Sequence, residues 1–471
     1  MYDVAVIGAG TGGLTVARLT AQAGQRVALI ERDRPGGDCL WTGCVPTKAL
    51  IHAAQRAHDV RESARFGVTH NGAGIDFSVI RRHMGDAQHQ AGRAESDDRI
   101  ASWGVDLIRG EAHFVDAQRV KVDGRTLTAR SFVIATGSHP VAPSIPGLQE
   151  APFETNVELL AWDELPASLA ILGAGPIGVE FAQAMSRLSV QVTLIEQAPR
   201  VLEREDAEAS RIIATVLKRE GVKVLANARV GEVSHAGQQI QLQVDHDGDH
   251  RAVVAERLVV ATGRAPSIGT LNLEAAGVEV SSQRLTVDAY LRTSQPHVYA
   301  VGDVAGGAQF THVAEDQGRT VAGNLLRRGR FSRPSKWNGR VVPRVTFSDP
   351  EVAAVGLTSQ EARRRHRGVR EWTVPLDAVD RAITTGATDG FIRLVTARGW
   401  QSRIPGLSRH LGDEIVGATI VAPSAGELLM PIVMAMRAHL PAGVVAWNMQ
   451  AYPTLSLGVR QAAGRMFDPG A

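Results

Sequence analysis

The sequence predicts an α/β protein built from two similar strand–helix–strand units and a C-terminal α+β segment. Two observations carry this prediction. A glycine-rich turn follows an apolar strand twice, and from about residue 341 the chain mixes strands and helices in a new pattern. The length of 471 residues corresponds to about three domains. Hydrophobic residues make up 44% of the chain and charged residues 21%, as in an ordinary globular protein.

The first unit opens the chain. A strand at 3–7 leads into a turn with Gly8, Gly10 and Gly13, a helix extends to about residue 23, and a second strand ends at Glu31. In this setting the Gly-x-Gly-x-x-Gly pattern is typical of a Rossmann-like dinucleotide-binding domain. The glycines allow a tight turn and the close approach of a pyrophosphate, which the helix N-terminus attracts. The carboxylate is suited to accept a hydrogen bond from a ribose hydroxyl.

The second unit repeats this design with a strand at 169–172 and the residues Gly173, Gly175, Gly178 and Glu196. The acidic residue follows the first glycine by 23 positions in both units (8 to 31 and 173 to 196). A further echo links residues 132–137 with residues 258–263, since each reads as a buried parallel strand that ends in Ala-Thr-Gly. The sequence therefore predicts two Rossmann-like dinucleotide-binding domains.

The expected domain boundaries follow from these units and from changes in composition. They are 1–148 with a helical insert at about 46–100, 149–268, a return to the first domain at 269–338, and 339–471. Within the last segment we expect strands at 390–396 and 414–421, a helix near 425–438 and a loop at 399–412.

The two cysteines of the chain, Cys39 and Cys44, lie within six residues of each other, which indicates chemistry rather than scaffolding. A regular helix would separate their Cα atoms by about 7.5 Å of rise. A disulfide between them therefore requires an irregular backbone, for which Gly43 and Pro46 are suited. Pro46 can lie in the first turn of a following helix, and a thiolate at that helix start would be stabilised and reactive.

Charge and hydropathy exclude other classes of protein. The net charge of +2 offers no electrostatic case for nucleic acid or a membrane surface. The longest later apolar stretch, 428–447, is interrupted by Pro431, Arg437 and His439, so we expect no membrane insertion. No secretory leader is evident, and we expect a cytoplasmic location. The sequence predicts no metal site.

Taken together, these motifs resemble the pyridine nucleotide-disulfide oxidoreductases, the family of lipoamide dehydrogenase, glutathione reductase and mercuric reductase. The resemblance extends over nearly the whole chain. It rests on both glycine motifs, on Gly-Gly-x-Cys-x-x-x-x-Cys-x-Pro-x-Lys at 36–48, on Ala-Thr-Gly at 135–137, on Ala-Thr-Gly-Arg at 261–264, on 298–303, and on Phe-Ser-Asp-Pro-Glu at 347–351.

The resemblance implies a role for each motif. Gly8, Gly10, Gly13 and Glu31 would bind the ADP half of FAD, Asp303 would bind its ribityl and phosphate side, and Gly173, Gly175, Gly178 and Glu196 would hold the nicotinamide nucleotide. Cys44 would be the sulfur nearest the flavin, Cys39 would exchange with substrate, and Lys48 would pair with Glu180 beside the flavin, where a cation stabilises the negative charge of reduced flavin. Further cofactor-binding residues are expected at Gly37, Asp38, Lys48, Ala112, Thr136, Gly137, Gly263, Arg264 and Gly302.

Glu196 would repel a 2′-phosphate, which favours NADH over NADPH, although Arg200 nearby leaves NADPH open. The resemblance also implies a homodimer in which the active site is shared between subunits.

One segment departs from the family's pattern. Thiol–disulfide members carry His-Pro-Thr-x-x-Glu near the C-terminus, in which the His manages the proton of the leaving thiol. This chain has Tyr452 and Leu457 at those two positions. A tyrosine hydroxyl with a pKa near 10 is a poor base at neutral pH. Tyr452 is a candidate catalytic residue, with a buried aromatic of no catalytic role as the equal alternative.

A tyrosine at this position resembles mercuric reductase, but the C-terminal cysteine pair of that enzyme is absent from this sequence. We therefore expect an NAD(P)H-dependent flavoenzyme that passes electrons to a Cys39–Cys44 disulfide and on to a small-molecule acceptor such as a quinone, a metal ion or an atypical disulfide. The alternatives are dihydrolipoyl dehydrogenase or mercuric reductase and, from another class, a low-turnover flavin redox sensor.

Overall fold

A computed structural model describes residues 1–69, 72, 74–237, 239–281, 284–327, 333–399 and 411–468. Most of the loop predicted at 399–412 falls outside these residues. The predicted α/β class is confirmed, since parallel sheets flanked by helices dominate the chain up to residue 325 and a mixed α+β segment follows.

The first sheet brings together distant parts of the chain. It is built from the strands β1 (Tyr2–Ile7), β2 (Val27–Glu31), β3 (Val105–Arg109), β4 (Ala112–Asp116), β5 (Arg119–Val122) and β6 (Arg125–Ile134), and a short strand β7 (Ser138–Pro140) follows it. The order is β3-β2-β1-β6-β5-β4. The pairs β1–β2, β1–β6 and β2–β3 are parallel, whereas β4, β5 and β6 form an antiparallel meander. The carboxyl ends of the parallel strands therefore meet at one edge, where ligands bind in such sheets.

Helices connect these strands. They are α1 (Thr11–Gln22), α2 (Gly37–Trp41), α3 (Cys44–Glu62), α4 (Phe77–Gly92) and α5 (Asp97–Ala101). Helix α1 follows the first glycine turn, and its buried residues include Leu14, Val16 and Ala17. Helices α3 and α4 pack against each other, and α4 also contacts α2.

The second sheet is fully parallel, with the order β11-β10-β9-β15-β8. The strands of this sheet and the helices between them are β8 (Phe153–Glu154), α6 (Asn156–Leu159), β9 (Ser168–Leu172), α7 (Pro176–Arg187), β10 (Gln191–Ile195), α8 (Ala207–Arg219), β11 (Lys223–Leu225) and β15 (Arg257–Val260). Between β11 and β15 the chain forms an antiparallel meander of β12 (Ala228–Ala236), β13 (Gln239–His246) and β14 (Asp249–Ala255). This unit reproduces the strand–turn–helix arrangement of the first.

The chain then returns to the first sheet. Strand β16 (Arg264–Pro266) pairs with β7, a hairpin of β17 (Val280–Ser281) and β18 (Arg284–Leu285) follows, and β19 (Val298–Ala300) pairs in parallel with β6. Helix α9 (Thr311–Leu325) packs on α1. The residues after β19 thereby reach the same sheet edge as the first glycine turn.

The C-terminal segment is a five-stranded antiparallel sheet, β20-β21-β24-β23-β22, covered by short helices. Its elements are β20 (Pro343–Thr346), β21 (Glu351–Gly356), α10 (Ser359–Arg365), β22 (Arg370–Pro375), α11 (Asp380–Thr385), β23 (Phe391–Ala397), β24 (Glu414–Ala422), α12 (Ala425–Leu428), α13 (Met430–Arg437), α14 (Gly443–Ala446) and α15 (Ser456–Gly464).

One sequence prediction for this segment is wrong in detail. We expected a single helix near 425–438, but the structure has two helices separated at Leu429. Pro431 lies at the start of the second one, where its missing N–H group costs no hydrogen bond. In the interior of one long helix the same proline would remove a backbone bond and clash with the preceding turn.

Candidate functional site

A cavity of about 800 Å³ lies at the carboxyl edge of the first sheet. It collects residues that are far apart in the sequence. Most of the predicted site residues line it: Gly8, Gly10, Glu31, Gly37, Asp38, Cys39, Cys44, Lys48, Ala112, Thr136, Gly137, Glu180, Arg264, Gly302 and Asp303. The other predicted site residues do not line it: Gly13, the three glycines of the second motif, Glu196, Gly263 and Tyr452. The motifs on 36–48, 135–137 and 302–303 thus form one site with the first glycine turn.

The two glycine turns have the close packing that their pattern predicts. A Cβ atom on Gly13 would lie 2.0 Å from the carbonyl oxygen of Gly8, and one on Gly178 would lie 1.9 Å from that of Gly173. By contrast, no described atom lies within 4 Å of a Cβ placed on Gly10. The turn is therefore closed towards the helix and open towards the cavity, as a site for a pyrophosphate requires.

The acidic residues at the strand ends fix these turns. Glu31 Oε2 accepts a hydrogen bond of 2.7 Å from the backbone N–H of Ala9. Glu196 does the same in the second unit, with 2.6 Å between its Oε2 and the backbone nitrogen of Ala174. Each carboxylate thus lies at the end of its strand and beside the glycine turn, which is where a nucleotide ribose would approach.

A polar chain crosses the cavity between the two halves of the site. The Ser138 hydroxyl donates to Asp303 Oδ2 at 2.6 Å and accepts from Arg264 Nε at 2.7 Å. Arg264 also donates to Asp38, which lies in the first turn of α2 directly before Cys39. Thr136 Oγ1 nearby is buried and has no hydrogen-bond partner among the described residues. Ser138 was missed by the sequence analysis, although it directly follows the Ala-Thr-Gly motif.

The cysteine segment is irregular, as the disulfide geometry demanded. Cys39 belongs to α2, Cys44 is the first residue of α3, and Thr42 and Gly43 interrupt the helix between them. A Cβ on Gly43 would lie 2.8 Å from the carbonyl oxygen of Asp38, which explains the glycine. Pro46 lies in the first turn of α3. Both cysteines are free thiols in this structure.

Three groups favour the thiolate form of Cys44. The hydrogen bond with Cys39, the hydroxyl of Thr311 and the charge of Lys48 together outweigh burial and lower the pKa of Cys44 to about 6. Thr311 Oγ1 lies 3.6 Å from Cys44 Sγ. The pKa of Cys39 is raised, chiefly by its hydrogen bond to Cys44 and by burial. The reduced pair is therefore asymmetric, with the thiolate on Cys44.

The predicted pairing of Lys48 with Glu180 is present at 2.9 Å between Nζ and Oε2. Glu180 is buried on α7, and its other oxygen accepts from the backbone N–H of Phe347 at 2.8 Å. The ammonium of Lys48 also lies 4.5 Å from the centre of the Phe347 ring. This arrangement fixes a cation beside Cys44 and joins three parts of the chain around it.

The side chain of Tyr452 is not buried, contrary to one of the two interpretations of this residue. Its side chain is 70% exposed, and its hydroxyl donates to Asp380 Oδ2 at 2.9 Å. This bond to Asp380 raises the pKa of Tyr452. Leu457, in the place of the family's glutamate, is half-buried in α15. Asp380 could not be found from the sequence, because it comes from a helix 72 residues away.

The residues present at the cavity fit FAD. The open face of Gly10 leaves room for phosphates. The hydroxyl of Thr136, which has no partner among the described residues, offers a hydrogen-bond donor. The ammonium of Lys48 offers a positive charge. Among the described residues, no group of three or more His, Cys, Asp or Glu side chains could hold a metal ion. No described helix is long and apolar enough to cross a membrane.

Comparison with known families decides the assignment. Residues 2–318 match the family described as pyridine nucleotide-disulphide oxidoreductase, and residues 342–463 match the dimerisation domain of the same family. The chain belongs to the pyridine nucleotide-disulphide oxidoreductases. It is therefore an NAD(P)H-dependent flavoprotein disulfide reductase, in a family that depends on FAD and NAD(P)H.

Relatives within the family carry different names. The chain is 34% identical to mercuric reductase of Bacillus cereus over 98% of its own length and 71% of that protein. It is 33% identical to dihydrolipoyl dehydrogenase of Thermus scotoductus, with 98% and 96% covered. Among solved structures, the Cu(II) complex of the HOCl-induced flavoprotein disulfide reductase RclA from Escherichia coli superposes with a TM-score of 0.84, at 30% identity over 97% of this chain and 98% of that one.

Proposed function

We propose that this enzyme passes two electrons from a nicotinamide nucleotide through FAD to the Cys39–Cys44 pair and on to a thiophilic metal ion. One observation carries the choice of acceptor. The position of the family's catalytic His is held by Tyr452, whose hydroxyl already donates to Asp380. With its pKa raised, Tyr452 is not a proton acceptor at neutral pH.

When a metal ion is the electron acceptor, no proton acceptor is needed at the position of Tyr452. Reduction of a disulfide releases a thiolate that must be protonated, whereas reduction of an ion has no thiol leaving group. The overall reaction is balanced for one Hg(II) reduced to Hg(0), or two Cu(II) reduced to Cu(I), per nucleotide oxidised with release of one proton. Supporting this choice, several similar proteins are named mercuric reductase, and RclA was solved as a Cu(II) complex.

Each residue of the site then has a defined task in the proposed reaction. The first glycine turn and Glu31 would hold the ADP half of FAD, and Asp303 with Gly302 its ribityl and phosphate side. Gly37, Asp38, Ala112, Thr136 and Gly137 would line the rest of the site. Bound FAD would supply the two-electron chemistry that links the nicotinamide to the disulfide. Lys48, held by Glu180, would stabilise negative charge beside Cys44, and Cys39 would meet the acceptor.

NADH is the favoured nucleotide. Glu196 Oε1 also accepts a hydrogen bond of 2.8 Å from the backbone of Ala198, so the carboxylate is fixed where a 2′-phosphate would lie. Arg200, the residue that left NADPH open, forms an ion pair of 3.3 Å with Glu203 instead. The second glycine turn with Gly263 and Arg264 would hold this nucleotide. Initial rates with both nucleotides test the preference, and faster turnover with NADPH would contradict it.

The enzyme is proposed to act as a homodimer. Each subunit would be divided into the segments 1–148, 149–268, 269–338 and 339–471. Large apolar side chains remain exposed within the family's dimerisation domain, namely Met430, Met434, Trp447 and Met449. Exposed apolar surface of this kind is typical of a protein interface. In such a dimer Tyr452 would face Cys39 of the other subunit. A monomer by sedimentation at micromolar concentration would contradict this.

Dihydrolipoyl dehydrogenase is the second candidate, because a relative of that name is covered over 96% of its length. Tyr452 and Leu457 argue against it, since neither side chain supplies the base that a dihydrolipoyl thiol needs.

An acceptor screen tests the proposal. The FAD-loaded wild type and Cys39→Ser are mixed anaerobically with NADH and, in turn, Hg(II), Cu(II), a quinone and lipoamide, and nucleotide oxidation is followed. We expect fast oxidation with Hg(II) or Cu(II) that Cys39→Ser abolishes. Turnover with lipoamide alone would establish the second candidate, and turnover with the quinone that survives Cys39→Ser would place the acceptor at the flavin instead.

A further inference from the structure

The turn after α4 carries a carboxyl group that the proposed reaction does not use. Glu95 ends the short turn Arg93–Glu95, and its Oε2 is buried without a hydrogen-bond partner in the described part of the chain. Burial raises the pKa of this carboxyl group. Leaving such an oxygen unpaired costs stability, so a group in this state calls for an explanation.

Glu95 lies against the helix that bears Cys39. Its Oε2 is 2.6 Å from the position that a Cβ atom would take on Gly36, the residue that precedes α2. Gly36 has a φ of 110°, and a side chain there would also meet Leu40 at 2.5 Å. Because the Leu40 side chain reaches the same point, the carboxyl group lies beside α2, next to the residue that follows Cys39.

This contact is held in place by the rest of α4. The Gln88 amide donates to the carbonyl oxygens of Leu40 at 3.1 Å and Trp41 at 2.8 Å. A Cβ on Gly92 would lie 3.3 Å from the Leu40 side chain. The segment that ends in Glu95 is thus fastened to the cysteine segment, and the carboxyl group cannot drift from it without breaking these contacts.

The charged groups around the pair differ on its two sides. Lys48, paired with Glu180, lies on the side of Cys44 and lowers its pKa. The pKa of the Cys39 thiol is raised chiefly by its hydrogen bond to Cys44 and by burial, and the charge of Glu95 adds to these effects. Asp38, next to Cys39, is engaged by Arg264.

We propose that Glu95 is a positioning residue for the reduced pair, whose carboxylate keeps the proton on Cys39 so that Cys44 carries the thiolate. This rests on the proposed reduction of the Cys39–Cys44 disulfide. Two electrons from the nucleotide break the S–S bond, and one proton from solvent forms the S–H bond of Cys39. Oxidation by the acceptor re-forms the S–S bond and releases that proton. Glu95 thereby supplies, from within the subunit, control of a proton that the family's His otherwise holds.

The test uses FAD-loaded protein reduced anaerobically with NADH and no acceptor. The rate of Cys39 alkylation by iodoacetamide is measured by peptide mass spectrometry. The charge-transfer absorbance between the thiolate and the flavin, a band at long wavelength, is recorded as a function of pH. We expect Glu95→Gln to alkylate Cys39 roughly three- to tenfold faster at neutral pH and to weaken that absorbance, because the thiolate spreads to Cys39. Glu95→Asp, which keeps the charge, and the exposed control Asp98→Asn should stay within about twofold of wild type.

An unchanged or slower rate in Glu95→Gln, or an equal acceleration in Asp98→Asn, would overturn the proposal. If Glu95→Gln loses FAD, Glu95→Ala takes its place: faster alkylation of Cys39 than in the wild type would support the proposal, and an unchanged or slower rate would overturn it. Because no acceptor is present, these outcomes leave the metal-ion proposal untouched. Absence of any new thiol after NADH would instead refute the proposed function itself.

Discussion

Lys48 Nζ lies 2.9 Å from Glu180 Oε2, and this pair joins the helix that begins at Cys44 to the helix that follows the second glycine turn. Glu180 is buried, whereas Lys48 keeps about a third of its side chain accessible. The ammonium is thus held at the cavity by its partner. The ion pair connects the nucleotide-binding half of the molecule with the sulfur that would receive the electrons.

Replacing Lys48 by Gln should raise the pKa of Cys44 from about 6, because the cation that favours its thiolate is gone. The thiolate forms as pH rises through this pKa, so the long-wavelength absorbance of NADH-reduced protein should appear at higher pH in the variant, by about one unit. Lys218→Gln, at the far end of α8, is the control and should leave the midpoint unchanged. An identical midpoint in Lys48→Gln would contradict the assigned role.

Thr311→Val should have a similar effect through a different group. Its hydroxyl lies 3.6 Å from Cys44 Sγ and favours the thiolate, so the valine variant should titrate Cys44 about one unit higher. Thr311→Ser keeps the hydroxyl and should titrate like the wild type. A serine variant that behaves like the valine variant would show that packing, and not the hydroxyl, is responsible.

Gly13→Ala should abolish FAD binding, because the new Cβ would lie 2.0 Å from the carbonyl oxygen of Gly8 and force the turn open. The measurement is the ratio of flavin to protein absorbance after purification. Gly85→Ala provides the matched control, since no described atom lies within 4 Å of its Cβ in the middle of α4. That variant should keep FAD and gain about 0.5–1 kcal/mol of helix stability. Full FAD content in Gly13→Ala would contradict the site.

Arg187→Met should destabilise the protein strongly. Its guanidinium is 4% exposed and donates to Glu220 at 2.6 Å and to Asp349 at 2.8 Å, so the methionine would leave two carboxylates without their cation. We expect a loss of about 3–5 kcal/mol in the free energy of unfolding. The exposed pair of Arg219 with Asp389 gives the control, and Arg219→Met should cost less than about 1 kcal/mol. Equal melting temperatures for the two variants would refute this ranking.

The sequence predicts the parts of the site that are written as local motifs. Glycine spacing, the acid at each strand end and the cysteine segment all follow from steric and electrostatic rules that act within about 30 residues. The sheet edge then brings these motifs together, as the carboxyl ends of β1, β2, β6 and β19 show. The Lys48–Glu180 pair was accessible only through the family resemblance, because 132 residues separate its members.

The residues that were missed lack such local signals. Thr311, Ser138, Asp380 and Glu95 reach their partners through tertiary packing, and their residue types are common in any chain. Only the structure shows that Glu95 lies against Gly36, or that Tyr452 is exposed and bonded to Asp380. The proposal for the acceptor depends on these contacts, which is why the sequence left the acceptor open.

A single-turnover experiment tests the central claim most directly. The FAD-loaded enzyme is reduced with one equivalent of NADH without oxygen, mixed rapidly with Hg(II) or Cu(II), quenched in acid and labelled for free thiols. We predict that the long-wavelength absorbance disappears, that Cys39 and Cys44 return to the disulfide, and that Cys44→Ser never shows the absorbance. Reoxidation of the flavin while both thiols stay reduced, or equal reoxidation in Cys44→Ser, would contradict electron transfer through the cysteine pair.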